Sequence, residues 1–391
     1  MTASFARMAG VDLLGDRKKH RRFIALFFLF SGIIAATWSS RIADVQHKLQ
    51  LSNASLGTVL FAVPVGLVAG LSFSSWVVVR FGARKMMLLS CLLAAVFLAL
   101  AGMADTPVLL MLVLFFLGIC RTLLNLSANT AAIEVQELYD RPIIASFHGL
   151  WSLACFGAAG ISAILLAAEI RPTIHFIVIA AVLITFVLLL KGPKQIESKS
   201  AERRPFFVMP DKYLFLLGSM ALCAMLCEGA VFDWSVNYFE KVIGAKRSLV
   251  ITGYIAFIVM MAGGRLVGDR FIHLFGAKRI IIICGLLMAS GFALAAAFPY
   301  LVIAALGFLL IGMGDSVLVP VIYMLASRSK KMPPSYALAS VTLIGYTGFL
   351  IGPLLIGNVS EYLGMPIAFG ILSGVSLVLV LLCVIVHRQT P

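Results

Sequence analysis

Phe81-Gly82-Ala83-Arg84-Lys85 and Phe275-Gly276-Ala277-Lys278-Arg279 are near copies of one another, 194 residues apart in a chain of 391. Each copy stands between two long apolar segments. Trp38-Ser39 returns as Trp234-Ser235 at nearly the same offset. Gly57 recurs as Gly253, Gly118 as Gly312, and Ala145-Ser146 as Ala339-Ser340. The two halves therefore read in the same direction. A membrane chain built from two similar halves in series is the pattern of a transporter that exposes one central site to either side in turn. The site is then expected between the halves, near mid-membrane.

The chain is 61% hydrophobic and 12% charged. That is about half the charged share of a soluble domain, and it leaves almost nothing for one. Uncharged stretches such as 86–103 and 367–386 are each long enough to cross about 30 Å of hydrocarbon as a helix. Twelve spans are expected, at 23–43, 55–79, 86–104, 108–133, 143–168, 173–191, 213–239, 249–271, 280–298, 301–326, 336–360 and 367–387. With the N-terminus inside, the inner segments hold 24 of the 31 Lys and Arg, the outer segments hold six, and Arg121 lies within a span. This asymmetry places both termini in the cytoplasm of a cytoplasmic (inner) membrane. The net charge of +14 thus reads as topology and contact with anionic lipid. No nucleic-acid partner is expected.

The basic run at 17–22 followed by the apolar 23–36 resembles the start of a signal peptide. It lacks a small-residue cleavage site and is too long, so it reads as a retained first span. All seven cysteines fall inside spans, which implies neither a disulfide framework nor a metal site. No phosphate-binding glycine loop and no nucleophile–base set stands at workable spacing. No cofactor and no enzymatic activity are expected.

The organisation that follows is all-α: two pseudo-symmetric six-helix halves, 1–191 and 213–391, joined by a polar, proline-containing cytoplasmic linker at 192–212. The other loops are short, so neighbouring spans pack antiparallel.

Ser75 to Lys85 resembles the loop between the second and third helices of the major facilitator superfamily, whose pattern is Gly-x-x-x-Asp-Arg-x-Gly-Arg-Arg/Lys. Arg80, Gly82 and the basic tail match, whereas the acidic position is Val79. The second half keeps Gly268-Asp269-Arg270 before its own copy. More locally, Trp38-Ser39-Ser40-Arg41-Ile42, Phe147-His148-Gly149-Leu150-Trp151-Ser152 and Glu228-Gly229-Ala230-Val231-Phe232-Asp233-Trp234-Ser235 are similar to the bacterial YbjJ/MosC-like permease group. Asn129 with Glu134, and 264–269, add to that likeness. The resemblance implies the twelve-helix major facilitator fold, a small-molecule solute, and a cavity lined by spans one, four, seven and ten. It also implies a charged inner gate, for which Arg80, Arg84, Asp269 and Arg270 are the candidates.

Ionisable residues deep in a span are costly, about 2.5–3.5 kcal/mol each on insertion scales, so each is a functional candidate. Arg121, Glu228 and Asp315 lie about halfway along the fourth, seventh and tenth spans, and Asp233 lies further out on the seventh. Arg41 ends the first span, and His148 sits in the inner third of the fifth. Five of these six fall on spans one, four, seven and ten, which points to a shared wet cavity; polar contacts between helices are the plainer alternative. Arg121 suits bidentate binding of a carboxylate or phosphate, with Asp315 as a further substrate-side group. Burial raises a carboxylate's pKa and a neighbouring arginine lowers it. A mid-membrane glutamate whose neighbour moves between states can therefore exchange a proton near neutral pH. Glu228 is the leading proton carrier, with Asp233, Asp315 and His148 as alternates, although His148 could equally satisfy itself on a nearby backbone.

Arg41 and Asp233 share an outer depth, and an outer-gate ion pair between them is expected. Trp38 and Trp234, at matching positions, are expected to present rings to a flat solute, with interfacial anchoring as the ordinary alternative. Asn125 and Asn129, one helical turn apart, are candidate hydrogen-bonding groups. The expectation is a monomeric, proton-coupled secondary transporter of a small polar solute, an organic acid or sugar-like compound. The alternatives are a proton-driven exporter of amphipathic or drug-like compounds, and a membrane sensor or scaffold that transports nothing.

Overall fold

The computed structural model describes residues 13–139, 143–190, 192, 210–329 and 332–388, and for residues 13–16, 145, 269, 334, 335, 387 and 388 the backbone alone. Most of the expected linker lies outside the described residues. Among those described, eleven helices are long and apolar enough to cross a membrane. Spans one to seven are Arg17–Ser39, Asn53–Phe81, Ala83–Met103, Pro107–Gln136, Ser146–Ala167, Pro172–Leu189 and Lys212–Lys241. Span eight is the shorter apolar helix Thr252–Gly268. The apolar stretch Arg270–Ala297 holds the last turns of the span-eight helix and, beyond Gly276, span nine; spans ten to twelve are Leu301–Ser327, Tyr336–Tyr362 and Met365–Val386. Helices are the natural solution because every backbone N–H and C=O in hydrocarbon must find its partner within the segment. Their starts are marked by conventional caps. Thr106 accepts from the Leu109 N–H at 3.3 Å and Asp211 from the Leu214 N–H at 2.9 Å. Pro107 and Pro172 open their helices where no N–H is needed.

The duplicated motif explains itself in the backbone. Gly82 has φ 89° and ψ 142°, and Gly276 has φ 77° and ψ 157°. Both are in a state that a residue with a Cβ resists. Each turns the chain from one helix directly into the next. The loops expected at 80–85 and 272–279 therefore shrink to one-residue corners, and helical structure runs from Thr252 to Ala297 with Gly276 as its break. The corners mark one end of the bundle, called here the near end. The connections at 40–52 and 242–251 mark the far end.

Spans one to six pack chiefly among themselves, two on four, four on three and one on five. Spans seven to twelve do the same, eight and nine on ten, seven on eleven and nine on twelve. The repeat extends to atomic contacts. A Cβ on Gly118 would overlap the Val63 carbonyl, and one on Gly312 would overlap the Phe257 carbonyl. Both members of the second pair are offset by the same 194 residues as the opening motif. Exposed large apolar side chains such as Ile164, Leu189 and Leu266 cover the outside, as a lipid-facing surface requires.

Candidate functional site

A cavity of about 650 Å³ lies between the two groups of spans. Its wall draws on spans one, two, four, five, seven, eight, ten and eleven. Arg121, Asn125 and Asn129 recur every four residues along span four and so share one face. Glu228, Gly229, Phe232 and Asp233 do the same on span seven. Trp38 and His148 also line the cavity. The His148 ring lies edge-on to Phe28 at 5.3 Å and is exposed on the wall. The Asn129 amide nitrogen donates to the Asn125 carbonyl at 2.9 Å and to its Oδ1 at 2.6 Å. This leaves the Asn125 amide N–H groups and the Asn129 oxygen for a ligand.

A further charge, Arg265, lines the wall from span eight, its guanidinium 5.9 Å from the Trp151 ring centre. The span expected at 249–271 would put Arg265 near its inner end. The helix continues to Gly276, eleven residues on, so Arg265 sits about 16 Å inside the corner. Among the described residues, none of Arg121, Glu228, Asp233 and Arg265 has an ion-pair partner within 4 Å. The charge acting most strongly on Arg121 is Asp233, and the one acting on Glu228 is Arg265.

Three expectations are corrected. Trp234 follows Asp233 directly and is turned about 100° from it. With Asp233 on the cavity wall, Trp234 goes into the core, fully buried, and its indole N–H has no acceptor among the described residues. Asp315 is off the wall as well. Gly312 and Gly314 hold span ten tightly against Phe257 and Cys284. The carboxyl is 3% exposed, its Oδ1 has no partner, and Glu228 is its strongest charged neighbour. Arg41 does not meet Asp233. Span one ends at Ser39, and a separate short helix, Ile42–Lys48, follows. Arg41 is fully buried between them. It donates to Asp44 at 2.5 Å, to the Ile170 carbonyl at 3.0 Å and to His175 Nδ1 at 3.2 Å, all in its own half. Burial pulls this guanidinium below its ordinary range, and Asp44 works against that.

At the near end, Arg80 and Arg270 are exposed, and Arg84 stands over the Phe23 ring at 6.0 Å. None of the three makes a side-chain hydrogen bond or ion pair among the described residues. The Asp269 side chain lies outside them.

Polar contacts between the two groups of spans gather at the far end, where the sequence reading proposed only the Arg41 pair. Asp44 binds Arg247, and Arg247 binds Glu240 at 3.1 Å. His47 meets Glu240 at 3.0 Å. Gln46 accepts from Asn237 and from Lys241, each at 2.7 Å. Glu361 accepts from the Asn53 N–H at 2.7 Å, so a carboxylate from the second half caps a helix of the first. Beneath this network span two presses on span eleven. A Cβ on Gly57 would overlap the Pro353 carbonyl. These contacts close the two halves on one another at the far end.

Gly57→Val tests the closure. Overpacking of this kind costs about 1–3 kcal/mol, and only the far-closed state bears it. Ser39, at the far limit of the cavity and 6% exposed, serves as the reporter. Labelling of Ser39→Cys from the far side, in a cysteine-free background, is expected to rise about tenfold, the change that 1.4 kcal/mol produces. Unchanged labelling contradicts a tight far contact.

The comparisons agree with this geometry. The family pattern described as Major Facilitator Superfamily matches residues 22–332. An uncharacterised MFS-type transporter of Yersinia pestis is 30% identical over 348 residues, 88% of this chain and 90% of the relative. The membrane protein MosC of Rhizobium meliloti is 27% identical over 363 residues, 92% and 88% of the two chains. Among solved structures, the nucleoside transporter NupG superposes with a TM-score of 0.76 at 17% identity, covering 97% of this chain and 100% of its own. A bacterial homologue of the human lysosomal transporter Spinster, inward-facing and occupied, gives 0.72 at 14%, with 94% and 96% covered. These two likenesses concern the fold alone. The chain is a multi-pass membrane protein that belongs to the Major Facilitator Superfamily of transporters.

Proposed function

We propose that the chain moves a small polar solute across the cytoplasmic membrane by alternating access, coupled to protons, with both termini and the near end on the cytoplasmic side. The halves 1–191 and 213–391 rock about the cavity as two bodies within a single monomer, surrounded by lipid and without a nucleic-acid partner. Arg121 anchors the solute, Asn125 and Asn129 supply hydrogen bonds, and Glu228 exchanges the proton. The observation that carries this reading is a cavity holding unpaired charges of both signs, sealed at one end by contacts that join the two halves. Such contacts must break for the other state to form. A fixed scaffold has no use for them.

The aromatic share of the wall, Phe27, Phe28, Trp151, Phe232 and Phe349 among it, favours the second reading, export of amphipathic compounds. A thermal-shift screen of the purified protein against metabolites at two pH values, followed by counterflow in proteoliposomes with hits of both classes, decides between them. A protein that carries neither class is the sensor or scaffold.

Arg121→Lys is the direct test of the anchor. Lysine keeps the charge but loses the planar fork. A hydrogen bond to a charged group contributes about 1.5–3 kcal/mol, so solute affinity is expected to fall about tenfold to a hundredfold. Titration calorimetry with the strongest hit reads the change. Equal affinity removes Arg121 from the site.

A further inference from the structure

The cavity wall carries two arginines and two carboxyl groups, and they fall into two sets. Arg265 stands by Glu228, with Asp315 buried off the wall beside it. Arg121 and Asp233 face the cavity from span four and span seven, hence from opposite halves, and Arg121 is the charge that acts on Asp233. They are farther apart than the 4 Å of an ion pair. Among the described residues nothing accepts a hydrogen bond from Arg121 and nothing donates one to Asp233. A gap with a free guanidinium fork on one side and a free carboxylate on the other takes either water or a solute that serves both.

Charge balance selects the solute. A simple anion on Arg121 is repelled by Asp233, and a simple cation on Asp233 is repelled by Arg121; in a site of low dielectric neither repulsion is small. A neutral polyol meets the hydrogen bonds and leaves both charges uncompensated. A molecule with an anionic and a cationic group a few ångström apart is attracted at both ends and leaves the cavity neutral. We propose that Arg121 and Asp233 form a binding site for a small zwitterion, its carboxylate or other anionic group on Arg121, its ammonium on Asp233, and its apolar part against Trp38, Trp151 and Phe232. The proposal rests on the reading of this cavity as a solute site and narrows it to one chemical class. It also moves Asp233 from proton exchange to recognition, which leaves Glu228 for the proton.

The test is binding by calorimetry to the full chain in nanodiscs. The probes are leucine, phenylalanine and the other common amino acids, together with analogues lacking one charge: 4-methylpentanoate and 3-methylbutylamine for leucine, 3-phenylpropionate and 2-phenylethylamine for phenylalanine. Glucose is the neutral probe. At least one zwitterion is expected to bind about tenfold or more tightly than both of its analogues, the preference that one compensated charge provides. In Asp233→Asn the order reverses and the acid analogue binds at least as well as the zwitterion. A misfolded variant cannot produce a reversal, and the wild-type ranking stands without any variant. A single-charge analogue or glucose binding as tightly as every zwitterion, no zwitterion binding at all, or an unchanged ranking in a folded Asp233→Asn protein overturns the proposal. Zwitterion binding without flux would end the transporter reading and keep the site, and flux of a singly charged solute would do the opposite.

Discussion

Glu228→Gln is expected to abolish uphill, proton-driven accumulation while leaving solute exchange largely intact. Glutamine keeps the shape and hydrogen-bonding reach of the side chain but cannot give up or take a proton. Glu228 lines the cavity, Arg265 is the charge acting on it, and among the described residues it has no partner within ion-pair distance. Its proton therefore has access to water from whichever end is open. If one proton moves with each solute, a gradient of one pH unit, about 1.4 kcal/mol, supports about tenfold accumulation. The variant should bring that ratio to about one. Counterflow, which needs no proton exchange, should survive, because the Arg121 side of the wall is untouched. Proteoliposomes with an imposed pH gradient, assayed for both modes, give the answer. Full accumulation in the variant would move the coupling to another carboxyl. Asp315, buried beside Glu228 with a carboxyl oxygen lacking any partner, would be the next to test.

The sequence made the architecture plain because two independent signals agreed. Apolar length set the spans, and the 194-residue repeat set their pairing. Residue spacing also predicted which side chains share a helix face. Arg121, Asn125 and Asn129 lie together on the cavity wall, because 3.6 residues per turn fixes that without any tertiary knowledge. Spacing alone does not set Trp234 aside: Phe232 and Trp234 both adjoin Asp233, and of the two only Phe232 lines the wall, while Trp234 is fully buried. Matching position in the repeat proved a weaker guide than helical phase. Asp315 matches Arg121 in number, yet it is off the wall because glycines draw span ten against its neighbours.

What could not be read was which charge meets which. Arg41 and Asp233 share a depth in the membrane, but depth does not give direction around the bundle. A break after Ser39 turns Arg41 toward Asp44 and His175. Arg265 was hidden by a boundary error of a few residues, enough to move a charge from a span's end to its interior. The far-end network was hidden for a different reason. Its members come from turns and helix ends, such as Asp44, Asn53, Arg247 and Glu361, where no period exists to detect.

Asp44→Ala should prove the most damaging change outside the cavity, because one carboxylate serves two purposes. One oxygen holds Arg41 within its own half, and the other holds Arg247 across the interface. The Arg41 and Asp44 side chains are 0% and 4% exposed, whereas Arg247 is 40% exposed. Removing a partner from a buried pair costs about 3–5 kcal/mol. That loss falls on the folded protein in every conformation, so the thermal unfolding midpoint should drop sharply. Arg247→Ala removes the cross-interface bond, together with the Arg247–Glu240 pair inside the second half, and leaves the Arg41–Asp44 pair in place. The arginine is part-exposed and the Asp44 carboxylate it leaves keeps Arg41 as its partner, so the cost is about 1 kcal/mol or less, which should show as a severalfold rise in far-side labelling at Ser39→Cys with little change in unfolding. The two effects separate in a double substitution. Adding Arg41→Ala to Asp44→Ala removes the charge that was left without its carboxylate, so the double variant should be more stable than Asp44→Ala alone. Arg41→Ala combined with Asp233→Ala should be additive, since those side chains share no contact. If Asp44→Ala unfolds like the wild type, or if removing Arg41 as well only adds to the damage, Asp44 does not brace the far end.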